Sequence, residues 1–517
     1  MKKMLLFLLC ACMLCIPAFA EEAETEILLG DEITVNGEVI SGDASQPVYL
    51  AYQVETHEDV PEELAGLENR VVTITAAGSY RVSGEAADIQ IAVKAGEEDD
   101  VRLILDGVDI SCRTAPAIVG HSARDPRIAG EYGFTIELAE GSENRVSGSH
   151  TVKISDDDVK FDGAIDSLVS LGFEGSGSLY VDADNEGIEV KFGHMTINGG
   201  SFHIEACDDP LNVSEDGIGT LTVNDGYLFS SVKNLEGGEG DGIDSNGYIV
   251  FNGGVAINLA HPTSGDSGID SDMGSSINGG IIVGAGNMYD PIDENSGQLF
   301  MLLEFAESTD DLVVVTDEND VPVFAYDFPY DYMYIAFSTP ELEEGNYRVY
   351  LGGEIEGEQV DGLYTSITSY TPGKRMQHGE GNAQRGMMGG GMPQEMGAAP
   401  DMEDMGGMFG GRGGWMQLPE GVDLNEILSG VDLNELLAGK DLNQLLSGFA
   451  ISDILTEEQI AEYIGDFQME IPEMPDGGMM GGMGGGPRSL ESSADVATDA
   501  FFLSKDSTGF TNVRSAN

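Results

Sequence analysis

Basic residues are scarce in this chain of 517 residues: Lys and Arg total 23 against 92 Asp and Glu, for a formal charge of −69. Such a polyanion repels nucleic-acid phosphates and anionic headgroups, which argues against DNA, RNA and membrane-surface partners and makes cations the natural ones. Cysteine (5) and proline (18) are too few for a disulfide-stapled small fold or a collagen. Past the first twenty residues no apolar run reaches eighteen, so no membrane-spanning helix is expected. Residues 21–517 also lack an HExxH pair, a P-loop, a Gly-x-Ser-x-Gly elbow and a CxxC motif.

The first twenty residues read as a secretory leader, with Lys2 and Lys3, an apolar stretch from Met4 to Ile16, and Ala18-Phe19-Ala20 as the cleavage site. Leu9-Cys10-Ala11-Cys12 faintly resembles a lipoprotein box, but the apolar run continues past it. The expected location is therefore extracellular or at the cell surface, with mature chain from Glu21. Cys112 and Cys207 then remain, either as free thiols or as one disulfide, because spacing alone does not decide.

What is abundant is glycine, 71 residues, and it is placed periodically. A small residue, an aliphatic and an oxygen-bearing side chain recur as Ala164-Ile165-Asp166, Gly187-Ile188-Glu189, Pro210-Leu211-Asn212, Gly242-Ile243-Asp244 and Gly268-Ile269-Asp270. The aliphatic anchors are 23, 23, 32 and 26 residues apart. Turn signals follow each anchor: Gly175-Ser176-Gly177, Asn198-Gly199-Gly200, Asn224-Asp225-Gly226, Asn252-Gly253-Gly254 and Asn278-Gly279-Gly280. Between them lie short strand-like stretches such as Met195-Thr196-Ile197 and Leu221-Thr222-Val223. A period near 23 matches one coil of a parallel β-helix, so the predicted fold is an all-β solenoid over residues 71–298. Segments 21–70 and 299–372 are read as an N-terminal segment and a small β cap.

From Gly373 the composition changes. Fourteen of the 22 methionines fall between Met376 and Met483 among glycine runs, which predicts a disordered Gly/Met-rich tail over residues 373–517. Inside it, Asp423-Leu424-Asn425-Glu426, Asp432-Leu433-Asn434-Glu435 and Asp441-Leu442-Asn443-Gln444 repeat every nine residues. These suggest short helical turns over 423–464 that could meet a protein partner. Truncation after Pro372 is expected to leave the folded body intact.

In stacked coils, equivalent positions lie about 4.8 Å apart. With the aliphatic anchor pointing inward, the next residue should point outward, which aligns Asp166, Glu189, Asn212, Asp244 and Asp270. Asp162, Glu186, Asp208, Asp209, Asp241 and Asp266 precede the anchors. Two carboxylates at that spacing repel by about 1 kcal/mol in water-like dielectric and about 3 to 4 kcal/mol at an effective dielectric of 20. A hard divalent cation with oxygen ligands, Ca²⁺ outside the cell, would offset this. A solvated acidic face with turn hydrogen bonds is the other reading. Neither Asp182-Ala183-Asp184-Asn185-Glu186-Gly187 nor Asp317-Glu318-Asn319-Asp320 completes an EF-hand loop.

A polyuronide lyase on this scaffold would need a base beside its metal carboxylates, and the available lysines are Lys153, Lys160, Lys191 and Lys233. The densest aromatic supply is Phe324, Tyr326, Phe328, Tyr330, Tyr332, Tyr334 and Phe337, which suits either sugar stacking or strand-core packing.

The run Val72 to Gly84, then Val101 to Ile110, then Ile136 to Asn144, resembles the opening of a bacterial family of carbohydrate-binding domain-containing proteins common in clostridia and their relatives. Gly240-Asp241-Gly242-Ile243-Asp244-Ser245 and Asn252-Gly253-Gly254 are similar to its coil markers. The resemblance covers about Val71 to Tyr370. It implies an extracellular right-handed parallel β-helix that binds Ca²⁺ and polysaccharide, including acidic plant sugars. Carried over by position, the metal role passes to Asp162, Asp166, Asp208, Asp209, Asp241, Asp244, Asp266 and Asp270. Glu189 and Asn212 stand where a basic residue is more usual, which leaves this column more acidic. The expected function is noncatalytic, calcium-dependent polysaccharide binding, with a lyase or glycoside hydrolase acting on acidic plant polysaccharides as the alternative.

Overall fold

Three walls of short parallel strands stack coil on coil. The computed structural model describes residues 24–56, 60–151, 159–233, 238–378, 500–505 and 509–515. The leader, and the Gly/Met-rich stretch with its nine-residue repeats between 379 and 499, lie outside the described residues. Apart from a 3₁₀ turn at Glu62–Leu64, the described secondary structure is all β, and no helix is long and apolar enough to cross a membrane.

One wall carries the repeated triplets. Its parallel strands run from Asn69–Ile74 and Ile89–Lys94 through Ile118–Ser122, Gly163–Ser167, Glu186–Val190 and Leu211–Val213 to Asp244–Ser245 and Asp270–Ser271. Ile118, Ile165, Ile188 and Leu211 stand in register and are fully buried, so the sequence period is the coil period. The second wall ascends through Glu143–Gly148, Ser178–Ala183, Ser201–Ala206, Tyr227–Val232, Val255–Leu259 and Ile281–Gly286. The third ascends through Phe134–Leu138, Leu171–Gly175, His194–Ile197, Thr220–Val223, Tyr248–Phe251 and Gly274–Ile277. Aliphatic and aromatic side chains from all three fill one continuous core.

The small residue of the triplet has a steric cause. A Cβ on Gly242 would stand 2.5 Å from the Gly268 carbonyl oxygen, and one on Gly268 would stand 2.1 Å from the Ala285 nitrogen, because the first two walls meet there. At the other corner the Asn markers form a side-chain ladder. Asn224 Nδ2 donates to Asn198 Oδ1 (2.7 Å), Asn252 to Asn224 (2.8 Å) and Asn278 to Asn252 (3.0 Å). Asn198 in turn donates to the Tyr132 hydroxyl (2.7 Å).

Residues 25–53, read only as an N-terminal segment, close the first coils. Thr25–Leu29 pairs parallel with Gly78–Ala87, and Val48–Gln53 pairs antiparallel with Asn69–Ile74. At the other end, Tyr332–Ser338 pairs antiparallel with Ile281–Gly286, so the cap continues the second wall and turns its direction. Phe324, Tyr326, Phe328, Tyr332 and Phe337 are buried in the cap core, and the Phe324 and Phe337 rings stack at 4.0 Å. Of the two readings of this aromatic run, these five residues follow strand-core packing.

The expected boundary at residue 372 falls inside the strand Leu363–Gln377. Phe501–Leu503 pairs with Gly345–Val360, and Gly509–Ser515 pairs with Phe300–Thr309 and Leu363–Gln377. Phe501 and Leu503 are buried in the cap core, so the chain's last strands belong to the folded body and not to a low-complexity tail. Truncation after Pro372 is accordingly expected to lower the melting temperature, and Leu503→Ala alone to cost about 2 to 5 kcal/mol in urea unfolding. Wild-type stability of both variants would show that these strands add nothing.

Candidate metal centre

Strand pairing sets the expected acids side by side. Asp166 is in register with Glu189, Glu189 with Asn212, Asn212 with Asp244, and Asp244 with Asp270. They do not form an open solvated face. Asp166 is fully buried, Glu189 is 1% exposed, and Asn212 and Glu186 are 8% exposed. The column breaks into two centres of different chemistry.

The first gathers Asp162, Asp166, Glu186 and Glu189. One oxygen each from Asp162, Glu186 and Glu189 lie within 4.8 Å of one another. Asp166 Oδ2 accepts the backbone N–H groups of Asp162 (3.1 Å) and Gly163 (3.3 Å), while Glu186 Oε1 accepts from Asn212 Nδ2 (3.1 Å). Asp166 Oδ1 and Glu186 Oε2 are buried without hydrogen-bond partners. Burial, then the neighbouring Glu189 charge, pushes the Asp166 carboxyl well above the usual range. Burial also raises Glu186, with Glu189, Asp209 and Asp162 adding to it.

This centre contains its own cation. Lys191 lies two residues after Glu189, so its side chain leaves the strand on the same side. Its ammonium lies 3.0 Å from Asp162 Oδ2 and 2.5 Å from Glu189 Oε1, and Lys160 reaches Asp162 Oδ1 at 2.5 Å. Burial disfavours the Lys191 charge, but Glu189, Asp166 and Asp162 outweigh it and raise the pKa.

The second centre is built from Asp241, Asp244 and Asp270, whose ligand atoms also lie within 4.8 Å of one another. Asp209 and Asp266 flank it through backbone contacts: Asp209 Oδ1 accepts from the Asp241 N–H (2.7 Å) and Asp266 Oδ2 from the Gly240 N–H (2.8 Å). Asp241 Oδ1 accepts from the Ser267 N–H (2.6 Å), and Asp290 Oδ2 from the Ser271 N–H (3.2 Å). Among the described residues, no Lys or Arg forms an ion pair with Asp241, Asp244 or Asp270.

Burial and neighbouring carboxylates raise the pKa values of its acids. Burial, followed by Asp270 and Asp209, pushes Asp241 up to about 10. Burial and Asp272 move Asp244 to about 7, burial and Asp290 move Asp270 to about 8, and burial and Glu239 move Asp208 to about 6. Asp209 is raised well above the usual range by burial, then Asp244 and Asp208. An all-oxygen donor set of this kind, short of positive charge, suits a hard divalent cation.

Sequence reasoning placed Glu186 and Glu189 in the ladder but missed Lys191 as the internal counter-charge. It also missed Asp272 and Asp290, which lie outside the triplet pattern. Asp182, first residue of the nearest EF-hand-like stretch, ion-pairs with Lys233, and Asp184 accepts from Ser149 Oγ (2.6 Å). Asp317 accepts the N–H groups of Asn319 and Val321 in a turn. Cys112 and Cys207 are free thiols.

Both acidic centres lie inside a region shared with known proteins. Residues 68–296 match the model of a family described as carbohydrate-binding domain-containing protein. A carbohydrate-binding domain-containing protein of Acetivibrio thermocellus is 32% identical over 142 residues, which are 27% of this chain and 46% of that protein. The chain thus spans about half the length of that curated relative. A solved polysaccharide lyase-like protein from C. thermocellum, a gadolinium derivative, aligns at 22% identity with a TM-score of 0.34, covering 52% of this chain and 96% of that one.

Two measurements probe the centres. Lys191→Met leaves the Glu189 charge without its ammonium, Asp162 keeping Lys160, and is expected to cost about 3 to 5 kcal/mol in urea unfolding; an unchanged midpoint would show that Lys191 does not hold the centre together. The second centre contributes to the pH dependence of the metal-free chain. Its folded-state pKa values lie above the unfolded value near 3.9, so the folded chain binds more protons. That stabilisation is complete below about pH 4 and is lost as pH rises through about 7 to 10. In a chelator the melting temperature is expected to fall from pH 5 to pH 9; a flat profile would remove the coupling.

Proposed function

We propose that this chain is a secreted, noncatalytic polysaccharide-binding protein whose right-handed parallel β-helix is stabilised by Ca²⁺ at Asp241, Asp244 and Asp270. The observation that carries the metal assignment is the in-register pair Asp244 and Asp270 with Asp241 beside them and no ammonium among them. Asp208, Asp209 and Asp266 supply surrounding negative charge, and Asp209 and Asp266 also accept the Asp241 and Gly240 N–H groups. Asp162 and Asp166 belong to the other centre, where Lys191 supplies the positive charge. The carbohydrate role rests on the family match over residues 68–296. Right-handedness follows from the strong preference of parallel crossovers for that hand.

Of the lysines that a lyase could use as bases, Lys153 lies outside the described residues and the other three are engaged elsewhere: Lys160 and Lys191 with acids of the first centre, and Lys233 with Asp182. Lys191, its pKa raised, holds its proton and is a poor base. These contacts favour binding over β-elimination. The nine-residue repeats at 423–464 are proposed as a protein-partner segment on their leucine spacing alone.

A ligand that binds only the folded state adds about 2.7 kcal/mol at 100 times its dissociation constant. Calcium is therefore expected to raise the melting temperature. Replacing Asp244 and Asp270 together by Asn should abolish most of that rise, while Asp317→Asn in the cap should leave it unchanged. Calorimetry that detects no calcium binding, together with chelation that leaves the melting temperature unmoved, would sink the metal assignment. Release of unsaturated uronides from polygalacturonate would sink the noncatalytic one.

A further inference from the structure

On the second wall, outward residues two apart form two parallel columns with different chemistry. The first runs Asp109, Arg145, Tyr180, His203, Phe229, each in register with the next. Its planar groups stack along the solenoid axis. The Arg145 guanidinium lies 4.6 Å from the Tyr180 ring centre, Tyr180 and His203 stack at 5.3 Å and 19°, and Phe229 follows at 5.8 Å. The second column runs Ser111, Ser147, Asp182, Glu205, Ser231, so every member carries a side-chain oxygen.

A long hairpin of the cap reaches back over these columns. Its two-residue turn is Asp361-Gly362, both at positive φ (46° and 87°), which suits an Asp-Gly hairpin turn. Asp361 Oδ2 accepts from the Tyr227 hydroxyl (2.5 Å) and contacts His203 Nε2 (2.9 Å), and its carbonyl accepts from the Tyr326 hydroxyl (2.7 Å). The tip is thus fixed over the wall. The columns, with Asp361 at the hairpin tip, line an open cleft of about 570 Å³, within the size range of ligand sites.

We propose that this cleft is a glycan-binding site for a neutral polysaccharide strand lying along the solenoid axis, and that its charge pattern selects against polyuronides. Because the rings face one another, they present their electropositive edges to the cleft, where sugar oxygens are attracted. Asp182, Glu205 and Asp361 accept hydrogen bonds from sugar hydroxyls, and charged acceptors make these the stronger kind. A uronate would instead bring its carboxylate against Asp109, Glu205 and Asp361, with Arg145 the cation lining the cleft and Lys233 already paired with Asp182. This inference rests on the carbohydrate-binding reading above. It adds where the sugar sits and which class it is, and one lining residue, Asp361, comes from the cap, beyond the family-matched residues.

The test measures binding of the full chain in calcium to β-1,4-linked hexaoses of glucose, xylose and mannose, and to hexagalacturonate, by calorimetry. At least one neutral hexaose should bind more tightly than hexagalacturonate. Glu205→Gln, which keeps size on an exposed position, and Tyr180→Leu should each weaken that binding about tenfold or more while melting at the wild-type temperature. Cleft variants that bind the neutral hexaose as well as wild type, or a wild-type preference for hexagalacturonate, would overturn the cleft and leave the carbohydrate-binding reading standing. Failure of the wild-type chain to bind any of the four would defeat that reading, and the cleft with it.

Discussion

Coil stacking sets equivalent side chains about 4.8 Å apart, and the rest of this structure depends on what stands at each position. Apolar residues gain from it, because Ile118, Ile165, Ile188 and Leu211 pack directly on one another in the core. Like charges lose. Asp166 beside Glu189, and Asp244 beside Asp270, are pairs that cannot both be ionised cheaply at this distance in a partly buried site. The protein meets the same problem in two ways along one wall. Around Asp166 and Glu189, Lys191 places an ammonium among the acids. Around Asp244 and Asp270 the neighbouring charges are further carboxylates, and among the described residues no ammonium or guanidinium pairs with them.

The asparagine corner shows why the charge, and not the stacking, is the difficulty. An amide carries a donor and an acceptor, so each Asn in the row from Asn198 to Asn278 gives to one neighbour and receives from the next. An ionised carboxylate only accepts. Repeating it coil after coil leaves no donor within the column, and its oxygens turn to backbone N–H groups, to Lys191 or to a proton. Asn212 between Glu189 and Asp244 interrupts the acid column with a donor, given to Glu186. That single amide separates the two centres along the wall.

Much of this was legible in the sequence, because the anchor spacing is the coil length and the triplet phase is the strand register. Ile165 pairs with Ile188, and Asp166 with Glu189, as the period requires. What periodicity could not supply was the environment outside the core. Asp166 and Glu189 leave the core as expected and are nevertheless covered. Lys191 gave no motif signal, although its spacing of two from Glu189 puts both on one face. The aromatics show a related limit: density along the sequence marked the cap core, whereas Tyr180, His203 and Phe229 meet only because three successive coils bring them into register. The last strands, around Phe501 and Leu503, escaped notice because they follow a long compositionally biased stretch and belong to no repeat.

The two candidate activities fall on different walls, and that separation constrains how they can interact. The metal centre stands on the triplet wall at Asp244–Ser245 and Asp270–Ser271, while the cleft lies on the second wall over Ser178–Ala183 and Ser201–Ala206, in earlier coils. A cation at Asp244 therefore does not touch a sugar held by Glu205, and bridging of two anions by Ca²⁺ is not the route by which the cleft would recognise its ligand. The link between them is the shared stack. The centre joins two late coils, those coils carry the second wall up to Ile281–Gly286, and there the cap begins. The cap in turn holds Asp361 over His203 and Tyr227. Relieving the repulsion between Asp244 and Asp270 thus supports the end of the solenoid from which the hairpin carrying Asp361 is hung.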